Sequence, residues 1–251
     1  MTPSLQTQAL TIRFGGQTAV DAVTCAFHPG TLTAIVGPNG AGKTTYFNLI
    51  SGQLRATAGQ VLLHGRPITR LSAPARARRG IGRAFQLTNL FPALTVLENI
   101  RLATLARTSA GLDFIRLAAA DTATTDLAFA TIERVRLASR AHLPAAALSH
   151  GDQRKLEIGI LLALDSEIVM LDEPTAGMSV DEVPAILGLI EAIKQDPART
   201  ILLVEHKMDV LRRLADRVVV LHQGALMADG APAEIVASKI VQEAYLGIRN
   251  A

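Results

Sequence analysis

The chain has no tryptophan, a single cysteine, and an aromatic content of only 4%. Stacking on nucleobases is therefore not a strong theme of its surface chemistry. One cysteine allows no internal disulfide, which suits a reducing compartment. Cys25 stands among Val23, Ala26 and Phe27, the setting of a buried structural thiol. No uninterrupted apolar run is long enough to cross a bilayer. The N-terminus lacks a basic stretch followed by an apolar one, so no signal peptide is expected. Any role at a membrane would come through a partner. Neither charge sign dominates: the formal net charge is +3, which does not demand nucleic acid. Repeats and low-complexity tracts are absent. The one dense basic cluster is Arg70, Arg76, Arg78, Arg79 and Arg83. It reads as a solvated face, or as a docking surface for an acidic partner or for lipid headgroups.

What is present is a globular α/β chain. With 251 residues, 49% hydrophobic and 19% charged, it can bury a sizeable core. Leu10–Phe14 and Ala19–Val23 flank Gly15-Gly16, a hairpin signal. Gln60–His64 is a further strand ending at Gly65. From about Leu94 to Leu143 the pattern turns helical. Beyond Leu148, helix and strand alternate again. Glu167–Leu171, Thr200–Val204 and Arg217–Leu221 lack polar alternation, as strands covered on both faces do. Gln223-Gly224 then turns the chain into Ala225–Ala228. The expectation is an α/β core with an antiparallel sheet near the N-terminus and an inserted helical block.

The chemistry is carried by Gly37-Pro38-Asn39-Gly40-Ala41-Gly42-Lys43-Thr44-Thr45, which fits the phosphate-binding loop G-x-x-x-x-G-K-[ST]. It follows the apolar run Leu32–Val36 and precedes a helix ending at Gly52, the strand–loop–helix context the motif requires. Glycines let successive N–H groups point at phosphate oxygens, and the helix start adds partial positive charge. Lys43 would reach the β- and γ-phosphates, and the Thr44 hydroxyl would hold Mg²⁺. Ile168–Leu171 ends in Asp172-Glu173: Asp172 would contact the metal, and Glu173 would polarise the attacking water. Gln86, after Gly82-Arg83-Ala84-Phe85, can coordinate Mg²⁺ or that water. Leu148-Ser149-His150-Gly151-Asp152 precedes a further helix whose start is a second anion site, with Ser149 as its capping hydroxyl. His206, after strand Ile201–Val204 and Glu205, can donate to a γ-phosphate oxygen.

These segments together resemble the nucleotide-binding cassette of the ATP-binding-cassette (ABC) superfamily, over nearly the whole chain. The resemblance implies a P-loop NTPase fold with a mostly parallel core sheet, an N-terminal antiparallel β subdomain and an inserted helical subdomain. It implies one ABC ATPase domain over 1–251, with a core at about 1–86 and 165–251 and a helical part at about 87–164. It assigns Phe14 to stacking on adenine. It also implies head-to-tail pairing, with each ATP between one chain's phosphate loop and the other's Ser149–Gly151. The cofactors would be ATP and Mg²⁺. Two positions depart from the family's Leu-Ser-Gly-Gly-Gln: His150 and Asp152. After Pro174, Thr175-Ala176-Gly177-Met178 lacks the Asp found there in many relatives.

Thr95-Val96-Leu97-Glu98-Asn99-Ile100, Leu156-Glu157-Ile158, Val204–Asp209 and Val241–Gly247 resemble the ATPase subunits of bacterial branched-chain amino acid importers. Urea and short-amide importer subunits are similar, and the lipopolysaccharide-export ATPase shares the Tyr-Leu-Gly ending. The partners implied are transmembrane permease subunits, a second ATPase subunit (identical or related) and, indirectly, a solute-binding protein, at the cytoplasmic face of the inner membrane. The permease would dock near Gln86–Asn99, with Leu87, Leu90, Phe91 and Leu94 available. Other classes fit less well. A soluble ABC ATPase acting on DNA or ribosomes usually has two cassettes or long coiled coils, and a GTPase needs Asn-Lys-x-Asp, which is absent. A P-loop kinase needs an acceptor pocket, and a non-hydrolysing regulator would not keep Lys43, Asp172, Glu173 and His206.

Overall fold

A computed structural model describes residues 2–84, 90–108, 122–238 and 241. In chain order the elements begin with β1 (Leu5–Phe14), β2 (Gln17–Phe27), β3 (Leu32–Val36), α1 (Lys43–Ser51), β4 (Ala58–Leu63), β5 (Arg66–Pro67), α2 (Ala73–Ala77) and β6 (Ile81–Ala84). There follow α3 (Val96–Thr108), α4 (Thr122–Arg134), α5 (His150–Ala163), β7 (Ile168–Asp172) and α6 (Val183–Lys194). The last are β8 (Thr200–Val204), α7 (Met208–Leu214), β9 (Arg217–His222), β10 (Ala225–Gly230) and α8 (Pro232–Ala237). Packing divides the described residues into two compact units. One gathers those among 1–81, 167–173 and 193–251, the other those among 82–166 and 174–192. The segment after Asp172-Glu173 thus packs with the helical block rather than with the strands.

The first unit is built on two sheets. The Gly15-Gly16 hairpin closes as the sequence expects, with Phe14 opposite Gln17 and Leu5 opposite Phe27. It belongs to a four-stranded antiparallel sheet of order β2-β1-β4-β5. Within this unit the second sheet runs β10-β9-β3-β8-β7. Strands β9, β3, β8 and β7 pair in parallel, and β10 returns antiparallel. Every residue of β3, β7 and β8 is buried, which is why these runs carry no polar alternation. Tyr46, Phe47, Leu49 and Ile50 of α1 pack into one core with Ile35, Met170, Leu202 and Val219. Cys25 belongs to the same core, and burial pushes its thiol pKa up, so it is an inert structural thiol.

One sequence expectation needs correction here. The basic cluster is not a single solvated face, because Arg76 is almost fully buried. Its Nη1 donates to the carbonyls of Leu49 and Ile50, both at 2.6 Å. Its Nη2 donates to Thr69 O at 2.8 Å and its Nε to Leu71 O at 3.2 Å. Burial draws the guanidinium pKa down to about 10. A helix leaves its last carbonyls unpaired and its C-terminus partly negative, and Arg76 answers both for α1.

In the second unit α3, α4 and α5 pack pairwise. The start of α3 is a capping box: Thr95 N donates to Glu98 Oε2 at 2.7 Å, and Glu98 N to Thr95 Oγ1 at 3.1 Å. The bonds that its carboxylate accepts from Thr95 N and Thr95 Oγ1 hold the Glu98 carboxyl pKa below its ordinary value. Asn99, buried, pins the preceding loop by donating to the carbonyls of Phe91, Leu94 and Thr95 while accepting from Phe91 N.

Candidate nucleotide site

The phosphate loop leaves β3 and enters α1 through Gly42, whose φ of 95° lies in the left-handed region. A Cβ there would sit 2.4 Å from the Ala19 carbonyl oxygen, so only glycine fits. That close approach also brings β2, and with it the hairpin that ends β1 at Phe14, against the loop. Phe14 is 51% exposed, an aromatic face free to take a planar partner. The first turn of α1 has no side-chain cap and no acid. Its N–H groups are available to an anion.

Lys43 Nζ donates to Gly37 O at 2.7 Å and to Pro38 O at 3.0 Å, inside its own loop. Burial lowers its pKa, and the nearby carboxylates of Glu173 and Asp172 work against that shift. The loop lysine and the two strand-end acids therefore share one electrostatic neighbourhood. Glu173 has a φ of 48°, a left-handed conformation unusual for a residue with a side chain. Its N–H donates to Val204 O at 2.9 Å, continuing the β7–β8 ladder by one step. Strain of roughly 1–3 kcal/mol is typical for such a backbone and concentrates at functional positions. Glu173 Oε1 lies 3.9 Å from His206 Nδ1.

Glu205 contributes a feature the sequence reading passed over. It is 1% exposed, and its Oε2 accepts from His206 N at 2.8 Å and Lys207 N at 3.4 Å. It also lies 3.5 Å from His206 Nδ1. A buried carboxylate so placed fixes the backbone and the ring of the histidine after it. The only signal in the sequence was an acid closing an apolar strand.

Thr44, exposed at the start of α1, and Asp172, buried at the end of β7, offer a hydroxyl and a carboxylate. Hard oxygen donors in small number suit Mg²⁺, which takes its remaining ligands from phosphate and water. Among the described residues no cluster of three His, Cys, Asp or Glu side chains forms a cage of protein ligands. Gln86, and with it Leu87, lies outside the described residues.

The second anion segment is described within its own unit. Ser149 is the N-cap of α5, and its Oγ accepts from Asp152 N at 3.2 Å. Asp152 is buried and ion-paired to Lys155 at 2.7 Å and to Arg140. His150 Nε2 is 3.4 Å from Ala176 O. A Cβ on Gly151 would meet Glu182 Oε1 at 2.6 Å. Glu182 in turn accepts from Ser179 N and Oγ.

Strand, glycine loop and helix on a mainly parallel sheet, with acids closing the next strand but one, define a P-loop nucleoside-triphosphatase. Residues 20–176 match the ABC transporter family, and the chain belongs to that family as an ATP-binding-cassette ATPase. It is 37% identical over 98% of both chains to LivG of Escherichia coli K12, a high-affinity branched-chain amino acid transport ATP-binding protein. It is 36% identical, again over 98% of both, to BraF of Pseudomonas aeruginosa, which carries the same description. Its fold superposes with a TM-score of 0.86 on the ADP conformation of MJ1267, an ATP-binding cassette of an ABC transporter. That match is at 27% identity and covers 99% of this chain and 100% of the other. No described helix is long and apolar enough to cross a membrane.

Proposed function

We propose that this protein is the ATP-hydrolysing subunit of an importer for branched-chain amino acids, held peripherally at the cytoplasmic face of the membrane by permease subunits. The observation that carries the cargo assignment is end-to-end similarity to LivG and BraF. The first unit would be the nucleotide-binding core. The second, with α3, α4 and α5, would be the helical part that meets the permease. Phe91, 57% exposed, and a cavity of about 220 Å³ lined by Leu94, Glu98, Arg101, Leu102 and Leu105 would receive the permease's cytoplasmic segment.

The chemistry follows from the residues. ATP phosphates would replace the Gly37 and Pro38 carbonyls as partners of Lys43 and take the open N–H groups of α1. Phe14 would stack on adenine. Mg²⁺, held by Thr44 and Asp172 with Gln86, would neutralise charge on the phosphates. Glu173 would accept a proton from the attacking water as the bond from the γ-phosphorus to the bridging oxygen breaks and ADP leaves. His206, steadied by Glu205, would donate to a γ-phosphate oxygen. Ser149 and Gly151 of a second cassette, identical or related, would close over the same phosphates. Ser149 Oγ is already an acceptor for Asp152 N, which leaves its proton free to donate. Binding would join the two cassettes and hydrolysis release them, and that cycle would drive the permease; a solute-binding protein would deliver cargo.

Uptake tests this reading. Cells lacking the chain should lose accumulation of labelled leucine, isoleucine and valine and regain it with the wild-type chain but not with Lys43→Ala. Unchanged amino acid uptake with loss of urea or short-amide uptake would overturn the cargo assignment.

A further inference from the structure

The chain carries no aspartate or glutamate between Asp21 and Glu98. The same stretch holds Lys43, Arg55, Arg66, Arg70, Arg76, Arg78, Arg79 and Arg83. A chain of nearly balanced charge has thus put a long acid-free block into the first unit. The fold then concentrates it. Arg76, through its four carbonyl bonds, ties the C-terminal end of α1, the Thr69–Leu71 turn and α2 into one local cluster. Arg55 follows that end of α1, Arg70 lies inside the turn, and Arg78 and Arg79 come two and three residues after Arg76. Arg66 opens β5 just past the tip of the β4–β5 hairpin, three residues before Thr69.

Arg55, Arg66, Arg70, Arg78 and Arg79 are all exposed, and among the described residues none makes an ion pair. Arg79 Nη1 reaches only the Ala75 carbonyl, at 3.3 Å. The neighbouring carboxylate, Glu167, is engaged by His64 Nε2 at 2.9 Å. Guanidinium groups are the side chains best matched to phosphate oxygens. The face also lacks what a protein partner needs as an anchor. Among the described residues the large exposed hydrophobic side chains are Phe14, Phe91, Leu127, Leu143, Val180 and Met208, and none falls within the stretch from Arg55 to Arg79. A cationic stretch that carries no large exposed apolar side chain of its own suits a partner of mobile anionic headgroups, which can rearrange beneath it without fixed register.

We propose that this arginine face binds the anionic lipid headgroups of the cytoplasmic leaflet, orienting the cassette on the bilayer independently of its permease contact. The inference rests on the peripheral membrane reading above. Each arginine near such a surface changes partitioning by about fivefold.

The test is flotation of the full-length chain with vesicles of phosphatidylcholine alone or with phosphatidylglycerol added. Wild type should float with the anionic vesicles, weakly with the neutral ones, and be released by high salt. A variant combining R55Q, R66Q, R70Q, R78Q and R79Q should lose at least a hundredfold in anionic-vesicle binding while holding ATP as wild type does. A control combining R134Q and R212Q should bind nearly as wild type does. Equal binding to neutral and anionic vesicles, or full binding by the five-arginine variant, overturns the proposal. So does preferential capture by duplex DNA or an acidic peptide at matched charge. If the chain binds ATP but ignores anionic vesicles, the lipid face fails and the cassette reading stands; if it binds no ATP, the reading beneath it fails.

Discussion

Helix α1 begins on Gly42 with no side-chain cap and no acid in its first turn, whereas α5 begins on Ser149 and carries Asp152 inside its first turn. At α1 the N–H groups are left open and a lysine stands beside them. At α5 the hydroxyl of Ser149 already satisfies the Asp152 N–H, and the Asp152 carboxylate already supplies negative charge to the positive end of the helix. Lys155 and Arg140 balance that carboxylate in turn. The first helix start has neither a side-chain cap nor an acid of its own. The second is internally compensated, and what it can still offer a phosphate is one hydroxyl proton and the close approach that Gly151 allows. Departure from the family pattern at Asp152 thus makes the second helix start more stable and less electrostatically demanding.

The sharpest way to break the comparison is Glu173→Gln. Loss of a general base should slow phosphate release by about 10²–10⁴-fold, with nucleotide affinity retained. Rapid turnover in that variant would remove the first site's chemistry altogether. Lys43→Ala comes next: removing a charged donor to phosphate should weaken ATP binding by about 3 kcal/mol, near a hundredfold, in a direct titration. Paired glycine substitutions compare the two helix starts by thermal unfolding. Gly42→Ala forces a side chain into a left-handed backbone against the Ala19 carbonyl, and should cost about 2–3 kcal/mol. Gly151→Ala displaces only the Glu182 carboxylate and its bonds to Ser179, and should cost about 1 kcal/mol. Equal losses would mean that the two starts are built alike. The smallest effect is a pH dependence. Burial depresses the Lys43 pKa in the free protein, and bound phosphate would hold the lysine charged. Affinity should therefore be complete below that depressed value and decline as pH rises through it, beginning below the ordinary 10.5. Lys43→Ala should show no such alkaline decline.

Much of the first unit was legible because its signals are local. Strand β3, the glycine loop and α1 are adjacent in sequence, and β7 and β8 declare themselves as short apolar runs with no alternation. The Gly15-Gly16 hairpin was likewise written in its turn. What escaped was set by long-range packing. Arg76 looked like one more solvated arginine, since nothing in its neighbours announces carbonyls contributed from Leu49 and Ile50. Glu205 drew no attention in the sequence, because its role rests on its burial and its bonds to His206 and Lys207. Residues 174–192 group with the helical block through space, a link that no local signal in the sequence announces. Thr95–Ile100, a mere resemblance in sequence, proved to be a capping box followed by an asparagine staple.

The central claim is that ATP is enclosed between two copies or relatives of this cassette. It is tested most directly by the mass of purified Glu173→Gln in light scattering with and without ATP. The account expects a single copy without nucleotide and a twofold mass with ATP, reversed when ATP is removed. A particle that binds ATP tightly yet keeps the mass of one chain at every protein concentration would contradict it.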